Sequence, residues 1–303
     1  MIGSLLKQLW KALGLFIRYH LSRLFGRQKQ QPPDPGADRD PNSIAATLPT
    51  VGLDPAYKKI IAWQTNQNDL SAPGIASNPI YQLWREIPQG YKWSHYFETY
   101  RAIFDSRRNT PMRILEIGVF RGASLRLWKN YFQHANTCLV GIDIDPTCAL
   151  YDAPSSGIHV RIGSQTDGEF LARVVDEFGP FDLIIDDGSH HSKHIITSFN
   201  CLYADGLKDD GIYFVEDLHA NYWHPWRDSA NSFLDFCKDL VELMHAHYWK
   251  NSLPVWTKQC ELGSSLTLEV PEITTMIREI RFFDSIVAIY KMRRPYAPRF
   301  IVA

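Results

Sequence analysis

The stretch MRILEIGVFRGASLRLW, residues 112–128, passes from a short apolar run through two glycines into a helix-like segment. The apolar run is typical of a buried strand, and it ends at Gly118. Gly118 and Gly122 would let the backbone of the following turn approach a ligand closely at the start of a helix. Their spacing is G-x-x-x-G rather than the G-x-G-x-x-G of dinucleotide-binding proteins, and for these two residues alone a structural glycine turn is the alternative.

Similar short apolar runs follow, each ending in Gly or Asp, and helix-like stretches lie between most of them. They are TCLVGIDID (137–145), IHVRIG (158–163), FDLIIDD (181–187) and GIYFVED (211–217). This alternation predicts an α/β fold, with a Rossmann-like, doubly wound, mostly parallel sheet. The stretch IREIRFFDSIVAIYK (277–291) predicts two strands around a tight turn, which would form an antiparallel C-terminal edge. Ligands of such sheets bind beyond the carboxyl ends of the strands.

The sequence divides into four predicted segments. Residues 1–27 form a basic amphipathic helix, and residues 28–50 form a linker rich in Pro, Gln and Asp. Residues 51–108 form a helical N-terminal segment, and residues 109–295 form the α/β domain.

The first segment has six Lys or Arg within residues 1–29 and no Asp or Glu. Its longest uncharged run, ALGLFI, is too short to span a bilayer, and no signal-peptide cleavage pattern follows. The apolar face fits a helix in the plane of an anionic membrane surface, or a helix packed on the body of the protein or on a second subunit. Both interpretations stay open, and so does the oligomeric state.

Composition limits the choice of partner and compartment. The formal net charge of the 303 residues is −1, which gives no overall attraction to nucleic acid. The five cysteines include no C-x-x-C pair, which is typical of a reducing compartment without a disulfide framework or a zinc cluster. We therefore expect a cytoplasmic protein, peripheral at the inner face of a membrane if residues 1–27 bind lipid.

Polar and glycine residues at successive strand ends form a candidate cofactor site. They are Glu116, Gly118, Gly122, Asp143, Ser164, Gln165 and Asp186. Asp143 ends the second strand, where an acid can hold both ribose hydroxyls. Ser164 and Gln165 follow the third strand, where an adenine edge could be met, and Asp186 is expected near the cofactor rather than on a metal ion. The set suits a nucleoside without a pyrophosphate, such as S-adenosylmethionine.

A resemblance to a known family is carried by five stretches: LEIGVFRGASLRLW, GIDIDP, IDDGSH, EDLHANYW and YKWSHYFETYRAIF. They resemble class I S-adenosylmethionine-dependent methyltransferases, closest to the macrocin- and mycinamicin-type sugar O-methyltransferases, over about residues 88–292. The resemblance implies that residues 109–295 bind S-adenosylmethionine and that the acceptor is a small, glycosidic molecule. There are two departures. Ser164 stands where relatives usually have an acid. Relatives also tend to continue EDL-H-T-S-Y-W into a Gly-Gly turn, whereas this chain reads EDLHANYWHPWRD (216–228).

The same resemblance implies a divalent metal ion at Asp187, Glu216 and Asp217, with His190 as the base. The residue types agree, because three carboxylates without a cysteine suit Mg²⁺ or Mn²⁺ rather than Zn²⁺. Adjacent carboxylates such as Asp186 and Asp187 repel each other unless a positive charge offsets them. A metal ion would make a sugar hydroxyl more acidic, and a histidine, with an unperturbed pKa near 6.5, can accept its proton.

Two other functions stay open at this point. One is a hydroxylase-like metal enzyme of the cephalosporin-hydroxylase type, and the other is a non-catalytic, membrane-recruited module that keeps the nucleoside pocket. Asp187 and Gly188 could also form a simple turn, with Ser189 capping the next helix. Tyr222, Trp223 and Trp226 could stack on a sugar ring or only pack their own loop.

Overall fold

The computed structural model describes residues 75–249 and 267–298, which belong to one compact unit. Seven strands form one sheet: β1 Arg113–Ile117, β2 Cys138–Asp143, β3 Ile158–Ile162, β4 Phe181–Asp186, β5 Leu207–Val215, β6 Ile277–Phe283 and β7 Ile286–Lys291. Their order is β3-β2-β1-β4-β5-β7-β6, with β1 to β5 parallel and the β6–β7 pair antiparallel. The predicted Rossmann-like fold and its antiparallel C-terminal edge are confirmed.

The helices of the described residues cover both faces of this sheet. They are α1 Pro79–Arg85, α2 Tyr96–Phe104, α3 Ala123–Tyr131, α4 Gly168–Phe178, α5 Ser192–Leu202 and α6 Phe233–Met244. Residues of α1 to α3 pack on one face, and residues of α4 to α6 pack on the other. The strands are therefore buried on both sides, which explains why they read as continuous apolar runs. α1 and α2 agree with the helical segment predicted ahead of the domain.

Aromatic side chains dominate the face covered by α2 and α3. The ring of Tyr100 lies edge-on to Trp128, with centroids 5.1 Å apart, and contacts Phe214 of β5 at 5.9 Å. Such pairs stabilise a core beyond the area that they bury. This packing presses α2 against the carboxyl half of β5, so the polar ends of its tyrosines reach the strand ends.

Strand register brings the polar strand ends to a common edge. Asp186 pairs with Ile117 of β1 and with Val215 of β5. Beyond the strands, the Asp187 N–H donates to the Ile117 carbonyl at 3.0 Å, and the Glu216 N–H donates to the Asp186 carbonyl at 3.1 Å. The loops after β1, β4 and β5 therefore leave the sheet side by side.

Several predictions fall on residues outside the described part of the chain. The basic helix of residues 1–27 and the linker of residues 28–50 lie there, so their structure and any membrane contact stay predictions. The predicted segment boundaries are likewise untested. Within residues 75–249 and 267–298, no helix is long and apolar enough to cross a membrane.

Gly118 allows a close approach between the loops after β1 and β4. Its φ is 98°, and a methyl group added there would lie 2.2 Å from the Asp187 carbonyl oxygen. Only glycine adopts this conformation without strain and leaves room for the neighbouring backbone. The glycine thus shapes the site by packing backbone on backbone.

Gly118→Ala should lower the free energy of unfolding by at least about 2 kcal/mol, because a strained backbone and a steric clash add together. Gly168→Ala is a matched control at the first residue of α4, where the nearest atom to an added methyl is the Cys201 sulfur at 3.5 Å. The control should leave stability unchanged or raise it by up to about 1 kcal/mol. Urea unfolding monitored by tryptophan fluorescence measures both, and equal losses would contradict this role of Gly118.

Candidate active site

Three carboxylates meet at the ends of β4 and β5, and a lysine lies between two of them. Lys92, just before α2, donates to Asp187 Oδ2 at 2.5 Å and also to Glu216 Oε2. Burial disfavours the charge on Lys92, but Asp187, Glu216 and Asp217 outweigh it and hold the lysine pKa well above its usual value. The ammonium is therefore charged and offsets the repulsion between the acids.

Glu216 is fully enclosed by protein groups. Its Oε1 accepts a hydrogen bond from the Tyr100 hydroxyl at 2.8 Å, while Lys92 occupies Oε2. Burial raises the pKa of Glu216, the neighbouring Asp187 and Asp217 add to the rise, and the charged Lys92 opposes it. Both side-chain oxygens of Glu216 are thus hydrogen-bonded within the protein.

Asp187, His190 and Asp217 form the group that could hold a metal ion. One ligand atom from each lies within 4.8 Å of the other two. The Tyr96 hydroxyl donates to Asp217 Oδ1 at 2.6 Å, which orients that carboxylate, and the His190 Nε2 lies 3.8 Å from Asp217 Oδ2. Two carboxylates on a partly open edge fit Mg²⁺ or Mn²⁺, which keep several waters and bind few protein ligands. The structure therefore brings together two predicted ligands and the predicted base.

Backbone strain is concentrated at this edge. His190 has a φ of 61°, Asp217 of 56°, Phe120 of 50° and Ser285 of 63°. Residues other than glycine seldom adopt this left-handed conformation, and they keep it where the surroundings enforce it. Four such residues in neighbouring loops indicate that the surrounding structure holds the backbone at this site in conformations that cost free energy.

The turn between β6 and β7 supports the site from the antiparallel edge. The Ser285 hydroxyl lies 2.9 Å from the Tyr96 hydroxyl, accepts from the His219 N–H at 3.1 Å, and lies 2.6 Å from His219 Nδ1. Ser285 thus links Tyr96, the partner of Asp217, to the loop that follows Asp217. Burial lowers the pKa of His219, which favours its neutral form.

Asp143 occupies the predicted position at the end of β2. Its Oδ2 accepts from the backbone N–H groups of Val119 and Phe120 at 3.0 and 2.9 Å, and its Oδ1 accepts from the Asp145 N–H at 2.9 Å. The carboxylate therefore fixes the loop after β1, a role that the sequence did not indicate, and its ribose contact stays a prediction. Ile144 beside it is 58% exposed and offers an apolar surface.

Gln165 and Asp186 lie in a buried network. The Gln165 amide donates to Asp186 and to Ser198, both at 3.2 Å, and its oxygen accepts from the Ser189 N–H at 2.9 Å. Asp186 also accepts from the hydroxyl of Tyr213 at 3.0 Å, and burial raises its pKa. These contacts anchor the loop after β4, so a direct cofactor contact by either residue stays a prediction. Ser164 stands apart, 2.9 Å from the Thr166 hydroxyl.

Glu116 points into the aromatic face of the core rather than into the cleft between the loops. It is 1% exposed, and its Oε1 accepts from the Trp128 indole N–H at 3.1 Å. Burial raises the pKa of Glu116 to about 7, with Asp187 adding to the rise and Lys92 opposing it. In this structure Glu116 is hydrogen-bonded to a core side chain, and its predicted cofactor contact stays a prediction.

Exposed aromatic side chains flank the carboxylates. The ring of His219 lies 5.2 Å from Trp93 and 4.4 Å from Trp223, and Trp223 lies 6.4 Å from Trp226. Trp93 is 47% exposed and Trp223 is 40% exposed. We call Trp93, His219, Trp223 and Trp226 the aromatic wall.

Sequence reasoning missed the side chains that approach the strand ends from outside the sheet. Lys92, Tyr96 and Tyr100 belong to YKWSHYFETYRAIF, a stretch that carried the family resemblance without a role for its residues. Two tyrosines four positions apart on one helix face, preceded by a lysine, are the signal that could have found them. No comparable sequence feature indicated a role for Ser285 at the site.

Comparison with known proteins identifies this domain. Residues 115–218 match the profile of a family described as "Methyltransferase domain". The predicted resemblance is therefore confirmed: residues 115–218 match a methyltransferase domain, and the site just described lies at the strand ends of this part of the chain.

Individual relatives are sugar O-methyltransferases by name. The chain is 32% identical to 8-demethyl-8-(2-methoxy-alpha-L-rhamnosyl)-tetracenomycin-C 3'-O-methyltransferase of Streptomyces olivaceus over 52% of this chain and 42% of that protein. It is 37% identical to mycinamicin VI 2''-O-methyltransferase of Micromonospora griseorubida over 43% of this chain and 33% of that protein. The chain thus spans less than half the length of these relatives.

A solved structure has a similar fold and a related sequence. The MycE methyltransferase from the mycinamycin biosynthetic pathway, in complex with Mg, SAH and mycinamycin VI, has a TM-score of 0.56 and 25% identity. The similarity covers 74% of this chain and 57% of that chain.

The burial of Glu116 predicts a pH-dependent stability. Its pKa is about 7 in the folded protein against an ordinary 4.5, so unfolding releases a proton between these values. The stability of the parent should therefore fall as the pH rises from about 4.5 to about 7, by up to about 3 kcal/mol from this group. Glu116→Gln does not titrate, so its stability relative to the parent should increase across that window. Urea unfolding at a series of pH values measures the difference, and parallel curves would contradict it.

Proposed function

We propose that the chain is an S-adenosylmethionine-dependent, divalent-metal-dependent O-methyltransferase that acts on a sugar hydroxyl of a glycosylated natural product. The observation that carries this proposal is the grouping of Asp187, His190 and Asp217 at the strand ends of a methyltransferase domain. The names of the relatives, which specify 3'-O- and 2''-O-methylation, support the acceptor class. MycE, with Mg and SAH bound, supports both the cofactor and the metal.

The cofactor side of the proposal rests on the loops after β1 and β2. Asp143 presents a carboxylate at the strand end where an acid can hold ribose hydroxyls. The exposed side chain of Ile144 next to it provides an apolar surface for a flat base. Gly118 and Gly122, at φ values of 98° and 67°, keep the intervening loop free of side chains at its two turns. No pyrophosphate-binding spacing is present, which favours a nucleoside such as S-adenosylmethionine.

The metal and base are assigned by ligand preference. A divalent ion, when bound, makes a coordinated hydroxyl more acidic. Asp187 and Asp217 are the proposed ligands, and Glu216 is the third predicted ligand, currently paired with Lys92. Because Mg²⁺ prefers oxygen ligands, His190 is assigned as the base rather than as a ligand. The imidazole, 3.8 Å from Asp217, would take the proton of the acceptor hydroxyl. S-adenosylmethionine, when bound, would supply the methyl group to that oxygen, and its sulfur would keep the electron pair of the broken carbon–sulfur bond.

The acceptor side is assigned to the aromatic wall. Trp93 and Trp223 are partly exposed and close to His219. His219 follows β5, which lies three strands from β2, the strand that ends at Asp143. Aromatic side chains with an exposed edge or face suit contact with a sugar ring or with the apolar scaffold that bears it. Three of the four wall residues belong to the loop of residues 216–228, which differs from the Gly-Gly turn expected in relatives. We therefore propose that the wall adapts the site to a different glycoside.

Asp143→Ala should weaken S-adenosylmethionine binding by about 1.5–3 kcal/mol, the usual worth of a hydrogen bond to a charged group. It should also lower the melting temperature, because the carboxylate holds the Val119 and Phe120 N–H groups. Asp145→Ala is the matched control in the same loop, since its side chain bonds Thr147. Isothermal titration with S-adenosylmethionine measures all three proteins. Loss of binding in the Asp145 variant alone would place the ribose contact there.

Turnover should require a divalent ion and His190. A chelator should abolish methylation of a panel of glycosides, monitored by mass spectrometry as a gain of one methyl group, and Mg²⁺ or Mn²⁺ should restore it. His190→Ala should keep cofactor binding but lose about 10²–10⁴-fold in turnover, the usual contribution of a general base. Its residual rate should rise with pH as hydroxide replaces the imidazole.

The exposed His245 provides a control for loss of a histidine, and His245→Ala should keep the parent rate. Full activity in excess chelator would show that the metal assignment is wrong. Parent-level turnover of the His190 variant would show that the base lies elsewhere.

A further inference from the structure

Lys92 occupies the carboxylates that a metal ion would need. Its side chain is 6% exposed and donates to Asp187, at 2.5 Å, and to Glu216, whose side chain is fully buried. The lysine reaches the site from the segment before α2, far from the acids in sequence, so the contact depends on the folded packing of α2.

The contact creates a competition between two cations. Asp187 is proposed as a metal ligand, yet its Oδ2 is bonded to an ammonium group. A divalent ion at Asp187 has to share the Asp187 carboxylate with Lys92 or displace the Lys92 ammonium group from it. If both cations are present, their positive charges repel each other. Glu216 can contribute to ion binding only if its Oε2 is released by Lys92, since Tyr100 holds Oε1.

The site also needs a positive charge when no divalent ion is bound. Tyr96 and Tyr100 donate hydrogen bonds to Asp217 and Glu216, but burial and the neighbouring carboxylates raise the pKa of both phenols, so they add no charge. A buried carboxylate that loses its charged partner is strongly destabilising.

We propose that Lys92 is a positioning residue that serves as an internal counter-ion of this site. It holds Asp187 and Glu216 in place in the absence of metal, and it lowers the affinity of the site for divalent ions, which keeps the ion exchangeable. The inference rests on the metal site of the proposed function, and the experiment below separates failure of the one from failure of the other.

The test is a Mn²⁺ titration of the full chain without cofactor or acceptor, with free Mn²⁺ measured by electron paramagnetic resonance. Lys92→Met should bind Mn²⁺ about tenfold or more tightly, because a repelling charge is removed and two carboxylates are released. Its melting temperature in chelator should be lower than that of the parent. Lys92→Arg should restore the parent affinity, and Lys92→Met combined with Glu216→Gln should lose most of the gain.

Lys208→Met is the matched control, because Lys208 forms a comparable ion pair with Asp182, at 2.9 Å, at the opposite ends of the strands. It should bind Mn²⁺ like the parent. If Lys92→Met fails to fold in chelator, Lys92→Gln, which keeps a donor, should show the same tighter binding.

Unchanged or weaker Mn²⁺ binding in the Lys92 variants, beside clear binding by the parent, would overturn the counter-ion role and leave the proposed function standing. A purely structural lysine would give this weaker binding. Absence of Mn²⁺ binding in the parent and in all variants would instead overturn the metal site itself, and the inference with it.

Discussion

The gathering of Asp187, Glu216 and Asp217 at one edge of the sheet is the constraint on which the site depends. Two like charges 4 Å apart repel by about 4 kcal/mol at an effective dielectric constant near 20, so such a group needs compensation. Lys92 supplies a charge to two of these acids, and the phenols of Tyr96 and Tyr100 supply hydrogen bonds. The charge balance of the site is therefore set by a segment that lies outside the parallel sheet.

Packing of the domain explains how that segment is held. α2 buries its aromatic face against β5 and α3, and the same helix turns two tyrosine hydroxyls towards the acids. The β6–β7 turn completes the arrangement, because Ser285 bonds Tyr96 on one side and His219 on the other. Core and site are thus formed by the same side chains, and a change in α2 affects stability and chemistry together.

Much of this architecture could be predicted from the sequence, because parallel strands buried on both faces appear as continuous apolar runs. The five apolar runs ending in Gly or Asp placed β1 to β5, and the rule that carboxyl ends share an edge brought Asp187 near Asp217. Partners far apart in the chain could not be predicted: Lys92 meets Asp187 across 95 positions, and Tyr96 meets Ser285 across 189. The direction in which individual side chains point could not be predicted either. Asp186 and Asp187 are adjacent, yet one joins a buried network with Gln165 and the other meets Lys92.

The central claim is that the acids after β4 and β5 form a metal site within a methyltransferase domain. Crystals grown with Mn²⁺ and S-adenosylhomocysteine, with anomalous diffraction recorded near the manganese edge, test it most directly. The account predicts one anomalous peak within about 2.3 Å of oxygens of both Asp187 and Asp217, a typical metal–oxygen bonding distance, with the nucleoside beside Asp143. A nucleoside bound beside Asp143 without any anomalous peak at those two aspartates would contradict it.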